Sequence, residues 1–122
     1  MGVKDLFNNN YETSENNQDV LLQTHYYRNR GDDVIEVVKE MIKDEGGEIK
    51  AEIPNFLEIY YENVNYSATV TIVSVRPTET AVDFKVTTYK LIPAGKGKKI
   101  IARLYEYLDK KLSFKGLSLY NK

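Results

Sequence analysis

The spacing of hydrophobic residues changes along the chain, and each change predicts a different element. Residues 19–28 alternate their side chains with a period of two, which predicts a strand. This alternation places His25 and Tyr27 on one face and Thr24 and Tyr26 on the other. The sequence therefore predicts that the single histidine lies on a sheet face between tyrosines.

Two segments have helical spacing instead. Asp32 and Asp33 open the first, where their charges suit the positive end of the helix dipole, and Gly46-Gly47 ends it. The second helix is expected from about Gly97 to Ser113. Their apolar stripes are Val34, Val37, Val38, Met41 and Ile42 in the first helix and Ile100, Ile101, Leu104, Tyr105, Leu108 and Leu112 in the second.

Three or four strands are predicted between the helices. Ile49, Ala51 and Ile53 alternate with charged residues, as in a half-buried antiparallel strand. Pro54 then either turns the chain or bulges a strand that continues through residues 57–62. Two further strands follow, at residues 66–75, which are rich in Thr and Val, and at residues 82–89.

The start of the chain is polar and rich in asparagine. Such a stretch buries too little apolar area to offset its ordering entropy, so we expect residues 1–18 to form a flexible tail. Residues 19–122 are then a single domain, which fits the total length of 122 residues.

The element order predicts a two-layer α+β domain. Four to five antiparallel strands, in the order β-α-β-β-β(-β)-α, would carry both helices on one face. Over residues 19–115 this order resembles the helix-grip and TATA-binding-protein-like folds, in which a curved sheet wraps a long C-terminal helix. A ferredoxin-like arrangement is the alternative, and it requires residues 117–120 to form a paired final strand.

Composition excludes several classes of protein. The absence of cysteine rules out disulfides, thiolate metal sites and a cysteine nucleophile. Apolar runs are too short to span a bilayer, and no secretory signal is recognisable, so we expect a cytoplasmic protein without a membrane partner.

The net charge of −1 hides an asymmetric distribution. Residues 1–62 hold 14 acidic and 6 basic side chains, whereas residues 63–122 hold 4 acidic and 11 basic ones. If the two helices lie side by side, these charges complement each other within the domain; otherwise the basic helix faces an acidic partner. A pI of about 5.9 disfavours a nucleic-acid partner.

Catalytic chemistry has few candidates in this sequence. His25 is the only side chain that ordinarily titrates near neutral pH, and a catalytic role requires a cleft and a carboxylate within hydrogen-bond reach of it. No motif supplies those partners. We therefore predict no catalytic residue, no metal site and no cofactor.

The segment Gly95, Lys96, Gly97, Lys98 and Lys99 is the candidate anion-binding site. Two glycines and three lysines come just before the predicted second helix, where free backbone N–H groups can hold an anion. The positive end of a helix dipole disfavours cations, so a bound anion would explain the lysines. A solvated loop is the other interpretation.

Ten tyrosines suggest an interaction surface. Tyr60, Tyr66, Tyr89 and Tyr107 have strand or helix positions that favour outward-facing rings, and tyrosine is enriched at interfaces. We therefore expect a non-enzymatic binding module that contacts a protein partner or forms a homodimer through its sheet. The alternative is a carrier that binds an apolar or anionic small molecule between the sheet and the C-terminal helix.

Overall fold

A computed structural model describes residues 7–54 and 57–117 of the chain. It contains seven strands, two α-helices and one short 3₁₀ turn. In chain order these are β1 (Phe7–Glu12), the 3₁₀ turn (Val20–Leu22), β2 (His25–Tyr27), α1 (Gly31–Asp44), β3 (Glu48–Ile53), β4 (Glu58–Glu62), β5 (Tyr66–Arg76), β6 (Glu79–Pro93), α2 (Ala94–Lys111) and β7 (Phe114–Gly116).

All seven strands belong to one antiparallel sheet. Its order is β3-β4-β5-β6-β2-β7, and β1 also pairs with β6. The long strand β6 pairs with β2 through its residues 80–82 and with β1 through its residues 85–93. The predicted α+β class with an antiparallel sheet and two helices is confirmed, but the predicted count of four to five strands is too low.

Both helices pack against one face of the sheet. Their buried side chains form a single cluster with alternate residues of β4, β5 and β6, as hydrophobic burial on a half-covered sheet requires. Members of this cluster include Val38, Met41, Ile59, Tyr61, Val70, Ile72, Val82, Phe84, Ile101, Leu104 and Leu108.

An ion pair joins the two helices at one end. Arg103 of α2 donates from Nε and from one terminal nitrogen to the two carboxylate oxygens of Glu45, at 3.0 and 2.7 Å. The Tyr66 hydroxyl donates to the same carboxylate at 2.9 Å. Here an acid from the first half of the chain meets a base from the second, as internal charge complementarity predicts.

Strand β1 lies where the sequence predicted a flexible tail. Residues 7–12 pair with β6, and Tyr11 is only 4% exposed. The tail therefore does not extend through residue 18 in this structure. The reason is tertiary: the polar segment gains β6 as a hydrogen-bonding partner and α2 as a surface against which Tyr11 packs. Residues 1–6 lie outside the described residues.

A β-bulge in β3 overturns the predicted alternation of that strand. Ile49 lies opposite Tyr61 and Ala51 lies opposite Tyr60, so Lys50 is the extra residue. One extra residue reverses which face the following side chains occupy. Ile53 is consequently 45% exposed, rather than buried with Ile49 as predicted.

The C-terminus of α1 has the glycine cap that the sequence predicted. Gly46 has φ +69°, and nothing lies within 4 Å of where its Cβ would be. We expect Gly46→Ala to lower the free energy of unfolding by about 1 kcal/mol, because the left-handed conformation strains a residue with a Cβ. Urea denaturation measures this change. Gly46→Asn should cost less, and an equal loss in both variants would contradict the backbone explanation.

Within the described residues, neither helix combines the length and the apolar character needed to cross a bilayer.

Candidate functional site

An open pocket lies along one flank of α2, where the 3₁₀ turn, β2 and β7 approach the helix. Its volume is about 460 Å³. We call it the flank pocket, and its lining residues are Val20, Leu21, His25, Ala102, Tyr105, Glu106, Asp109, Lys110, Phe114 and Leu117. Three of the apolar members, Val20, Leu21 and Phe114, are exposed large hydrophobic residues.

The 3₁₀ turn forms one wall of this pocket, and Asp19 caps its N-terminal end and ties it to α2. The Asp19 carboxylate accepts a hydrogen bond from the Leu21 backbone N–H at 3.0 Å. It also forms an ion pair with Lys98 of α2, at 2.6 Å. The hydrogen bond from Lys98 lowers the pKa of Asp19. The predicted strand over residues 19–28 is thus wrong in its first half, where the local cap by Asp19 outweighs the strand pattern.

The imidazole of His25 forms part of the pocket lining. It stacks on the Tyr105 ring, with centroids 3.5 Å apart and planes 4° from parallel. The Phe114 ring is tilted relative to the imidazole, and the centroids of these two rings are 4.8 Å apart. Nδ1 of the imidazole is 3.0 Å from Oδ1 of Asp109. These contacts fix both the plane and the rotation of the ring.

Asp109 is in turn held by Tyr27. The Tyr27 hydroxyl donates to Oδ1 of Asp109 at 2.6 Å, and Tyr27 is fully buried. Burial, together with Asp109, holds the pKa of Tyr27 far above its usual range, so the hydroxyl keeps its proton and remains a donor. The predicted shared face of His25 and Tyr27 is confirmed, since both side chains reach the same carboxylate.

Polar groups of the sheet and of the segment before it hold the hydroxyl end of Tyr105. The Tyr105 hydroxyl donates to the Val82 carbonyl at 2.7 Å and lies 3.3 Å from the Thr13 hydroxyl. Thr13 and Thr24 both donate to Oδ1 of Asp83, at 2.5 and 2.6 Å. The ring on which His25 stacks is therefore fixed at its hydroxyl end.

The remaining ring nitrogen of His25, Nε2, is available at the pocket. Asp109 is acceptor-only when ionised, so we assign the Nδ1 proton to the bond with it, which leaves a lone pair on Nε2. Among the described residues Nε2 has no hydrogen-bond partner, and every fully buried side-chain nitrogen there has one. Nε2 is therefore not fully enclosed, and the ring that carries it lines the pocket. The site thus presents one oriented proton acceptor.

The charges around the pocket are mostly negative. Asp109 and Glu106 line it, and the one lysine of the lining, Lys110, forms an ion pair with Glu106 at 3.2 Å. A bound anion would therefore meet two carboxylates. No group of three histidine or acidic side chains suited to a metal ion occurs in the part of the chain that the structure describes.

The predicted anion-binding segment lies within α2 rather than before it. The helix begins at Ala94, so Gly95 to Lys99 form its first turns. Gly97 is buried against the Tyr11 ring, and Lys98 pairs with Asp19, which gives packing and ion-pair reasons for both residues. Anion binding by Lys96, Lys98 and Lys99 stays a prediction.

The four tyrosines of the predicted interaction surface do not share one face. Tyr66 is 1% exposed and donates to Glu45, so its predicted outward position is wrong: its parity matches Ala68 and Val70 of the core. Tyr107 lies on α2, in the helical layer. Tyr60 and the 56% exposed Tyr89 remain on the sheet, and their role in binding a partner stays a prediction.

Asp109 and Tyr27 are the site residues that the sequence analysis missed. Asp109 is separated from His25 by 84 positions, and only the packing of α2 beside β2 brings the two together. The available signal was an acidic residue one helical turn beyond the buried Tyr105, on the edge of the apolar stripe.

No protein-family model and no curated protein matches this chain.

Proposed function

We propose that this protein binds a small, largely apolar, uncharged molecule in the flank pocket, and so acts as a carrier rather than as a self-associating module. The observation that carries the proposal is the oriented Nε2 of His25 in a lining that is otherwise mainly apolar. A pocket of about 460 Å³ lies within the usual size range of small-molecule sites. Few polar groups in an apolar lining give such sites their specificity.

The charges favour the apolar ligand over the anionic one. Glu106 and Asp109 repel an anion, and Lys110 is already paired. A hydroxyl on the ligand, by contrast, can donate to Nε2. We also retain the helix-grip or TATA-binding-protein-like arrangement as a proposal for the fold, supported by the long C-terminal helix packed on an antiparallel sheet.

Self-association through the sheet has less support. Edge strands pair readily when they are flat and apolar, whereas β3 carries a bulge and the charged side chains of Glu48, Lys50 and Glu52. These features work against strand pairing between two copies at that edge.

Ligand binding is testable with naphthol and naphthoate, which have the same rings and differ in charge. We expect naphthol to bind at least tenfold more tightly in a calorimetric titration. Ala102→Phe, which fills the pocket from α2, should weaken naphthol binding about tenfold or more, because the added ring occupies its space. Lys96→Phe, outside the pocket on the same helix, is the matched control.

Two results would contradict the proposal. One is the absence of naphthol binding to the wild-type protein, together with no small molecule that co-purifies in native mass spectrometry. The other is equal loss of binding in Ala102→Phe and Lys96→Phe, which would place the ligand elsewhere.

A further inference from the structure

The His25–Asp109–Tyr27 arrangement is more elaborate than ligand binding alone requires. A hydrogen-bond acceptor for a ligand needs only one exposed lone pair. Here the ring carrying that lone pair is stacked on Tyr105, its opposite nitrogen bonds to a carboxylate, and a buried hydroxyl holds that carboxylate. Each partner limits the movement of the one before it, which gives Nε2 a fixed direction.

This arrangement is the one that general-base catalysis uses. An efficient base needs a lone pair within reach of the substrate and a second group that orients it and stabilises the cation formed when it takes a proton. Asp109 meets the second requirement, because its Oδ1 lies 3.0 Å from Nδ1. The first requirement is met because His25 lines the pocket and its Nε2 is not fully enclosed.

We propose that His25 is a catalytic general base that removes a proton from a neutral, apolar carbon acid bound in the flank pocket, with Asp109 and Tyr27 as positioning residues. This inference rests on the proposed binding function and adds a reaction to it. Nε2 takes the proton, the C–H electron pair stays on the substrate, and the imidazolium faces the Asp109 carboxylate. The proton then returns to the substrate at another atom or passes to water.

The pocket residues favour a carbon acid without a negative charge. Val20, Leu21 and Phe114 supply apolar contacts for a flat ring, while Glu106 and Asp109 disfavour a substrate that already carries a negative charge. The negative charge that develops on a neutral substrate is balanced by the imidazolium that forms on His25. The reaction needs no oxidant, reductant or cofactor, because only a proton and an electron pair move.

The probe is nitrobenzisoxazole, a neutral bicyclic carbon acid. A base takes its ring C–H proton, the C–H electron pair forms a nitrile as the N–O bond breaks, and the electrons of that bond leave on a phenolate oxygen whose absorbance reports turnover. We expect saturable turnover by the wild-type protein. His25→Phe keeps a flat ring against Tyr105 but lacks the lone pair, so we expect turnover to fall about 100-fold or more.

The positioning residues are tested by separating kcat from KM. Asp109→Asn keeps the shape of the side chain and removes its charge, so kcat should fall about 10-fold or more while KM changes little. Tyr27→Phe should lower kcat less, because it removes only the hydroxyl that holds Asp109. The exposed Lys43 of α1 lies outside the pocket, and Lys43→Met should retain wild-type turnover.

The outcomes separate this inference from the proposed function. If the His25→Phe variant still binds naphthol and turns over the probe at the wild-type rate, the catalytic role is overturned and the proposed ligand binding stands. Loss of turnover in Lys110→Met, but not in His25→Phe, would assign the base to the lysine amine and also overturn it. If circular dichroism shows that His25→Phe is unfolded, His25→Gln, which can still donate to Asp109, replaces it with the same expected loss.

Discussion

Gly97→Ala is expected to destabilise the protein by about 2 to 3 kcal/mol, although alanine is the better helix former. A Cβ at this position would fall inside the van der Waals radii of three ring carbons of Tyr11. The Tyr11 ring is 4% exposed and belongs to the core, so the overpacking cannot be relieved by moving it into empty space. We expect β1 to loosen from β6, with a loss of hydrogen-exchange protection along β1.

Gly95→Ala is the matched control, two residues away in the same helix. Nothing lies within 4 Å of its Cβ position, so this variant should gain about 0.5 kcal/mol from helix propensity. Urea denaturation measures both changes. In a Tyr11→Ala background Gly97→Ala should lose most of its cost, because the ring it meets is absent. Equal stability of the two glycine variants would contradict the close packing of α2 on β1.

Arg103→Met is expected to lower the free energy of unfolding by about 1 to 2 kcal/mol at pH 7. The substitution keeps the aliphatic stem and leaves the half-buried Glu45 with the Tyr66 hydroxyl as its one remaining side-chain hydrogen-bond partner among the described residues. Lys110→Met is the matched control, because it removes the exposed ion pair with Glu106 on the same helix. That loss should be only about 0.3 to 0.5 kcal/mol.

The pH dependence of stability provides an independent check on the same ion pair. Burial raises the pKa of Glu45, but the hydrogen bonds from Arg103 and Tyr66 outweigh it and hold the pKa below its usual 4.5. A carboxyl whose pKa is lowered by folding stabilises the protein fully above its unfolded value, and this contribution disappears as the pH falls through the folded value.

The wild-type protein should therefore lose stability as the pH drops below about 5, and more steeply than Arg103→Met. Thermal denaturation between neutral and acidic pH measures the two curves. A constant difference between them down to the acidic limit would show that the pair does not act through the charge of Glu45.

Local patterns in the sequence were sufficient for the elements that short-range physics controls. The helical spacing of apolar residues located α1 and most of α2, and the glycine pair after α1 identified its end, which the left-handed φ of Gly46 explains. The alternation around His25 correctly placed His25 and Tyr27 on one face. These signals depend on neighbours a few residues apart and are therefore visible in the chain itself.

The errors came from partners that are distant in the sequence. The polar stretch of β1 is a strand because β6 offers hydrogen bonds to it, and the composition of residues 1–18 does not reveal that partner. The bulge at Lys50 depends on how β3 meets β4, and it reversed the exposure of Ile53. The 3₁₀ turn that replaced half of a predicted strand has one local cause and one distant cause: Asp19 caps it next to Leu21, and Lys98 of α2 anchors that cap.

By itself the sequence determined the α+β class, the absence of cysteine chemistry and the identity of the single histidine, since these follow from composition and local spacing. The tertiary structure alone decided the candidate site. His25 requires an orienting carboxylate, and Asp109 becomes one only when α2 packs beside β2. This packing brings two residues that are 84 positions apart in the sequence together, with Nδ1 of His25 3.0 Å from Oδ1 of Asp109. Spacing along a chain does not specify which distant residues a fold brings into contact, and the chemistry of this site depends on that contact.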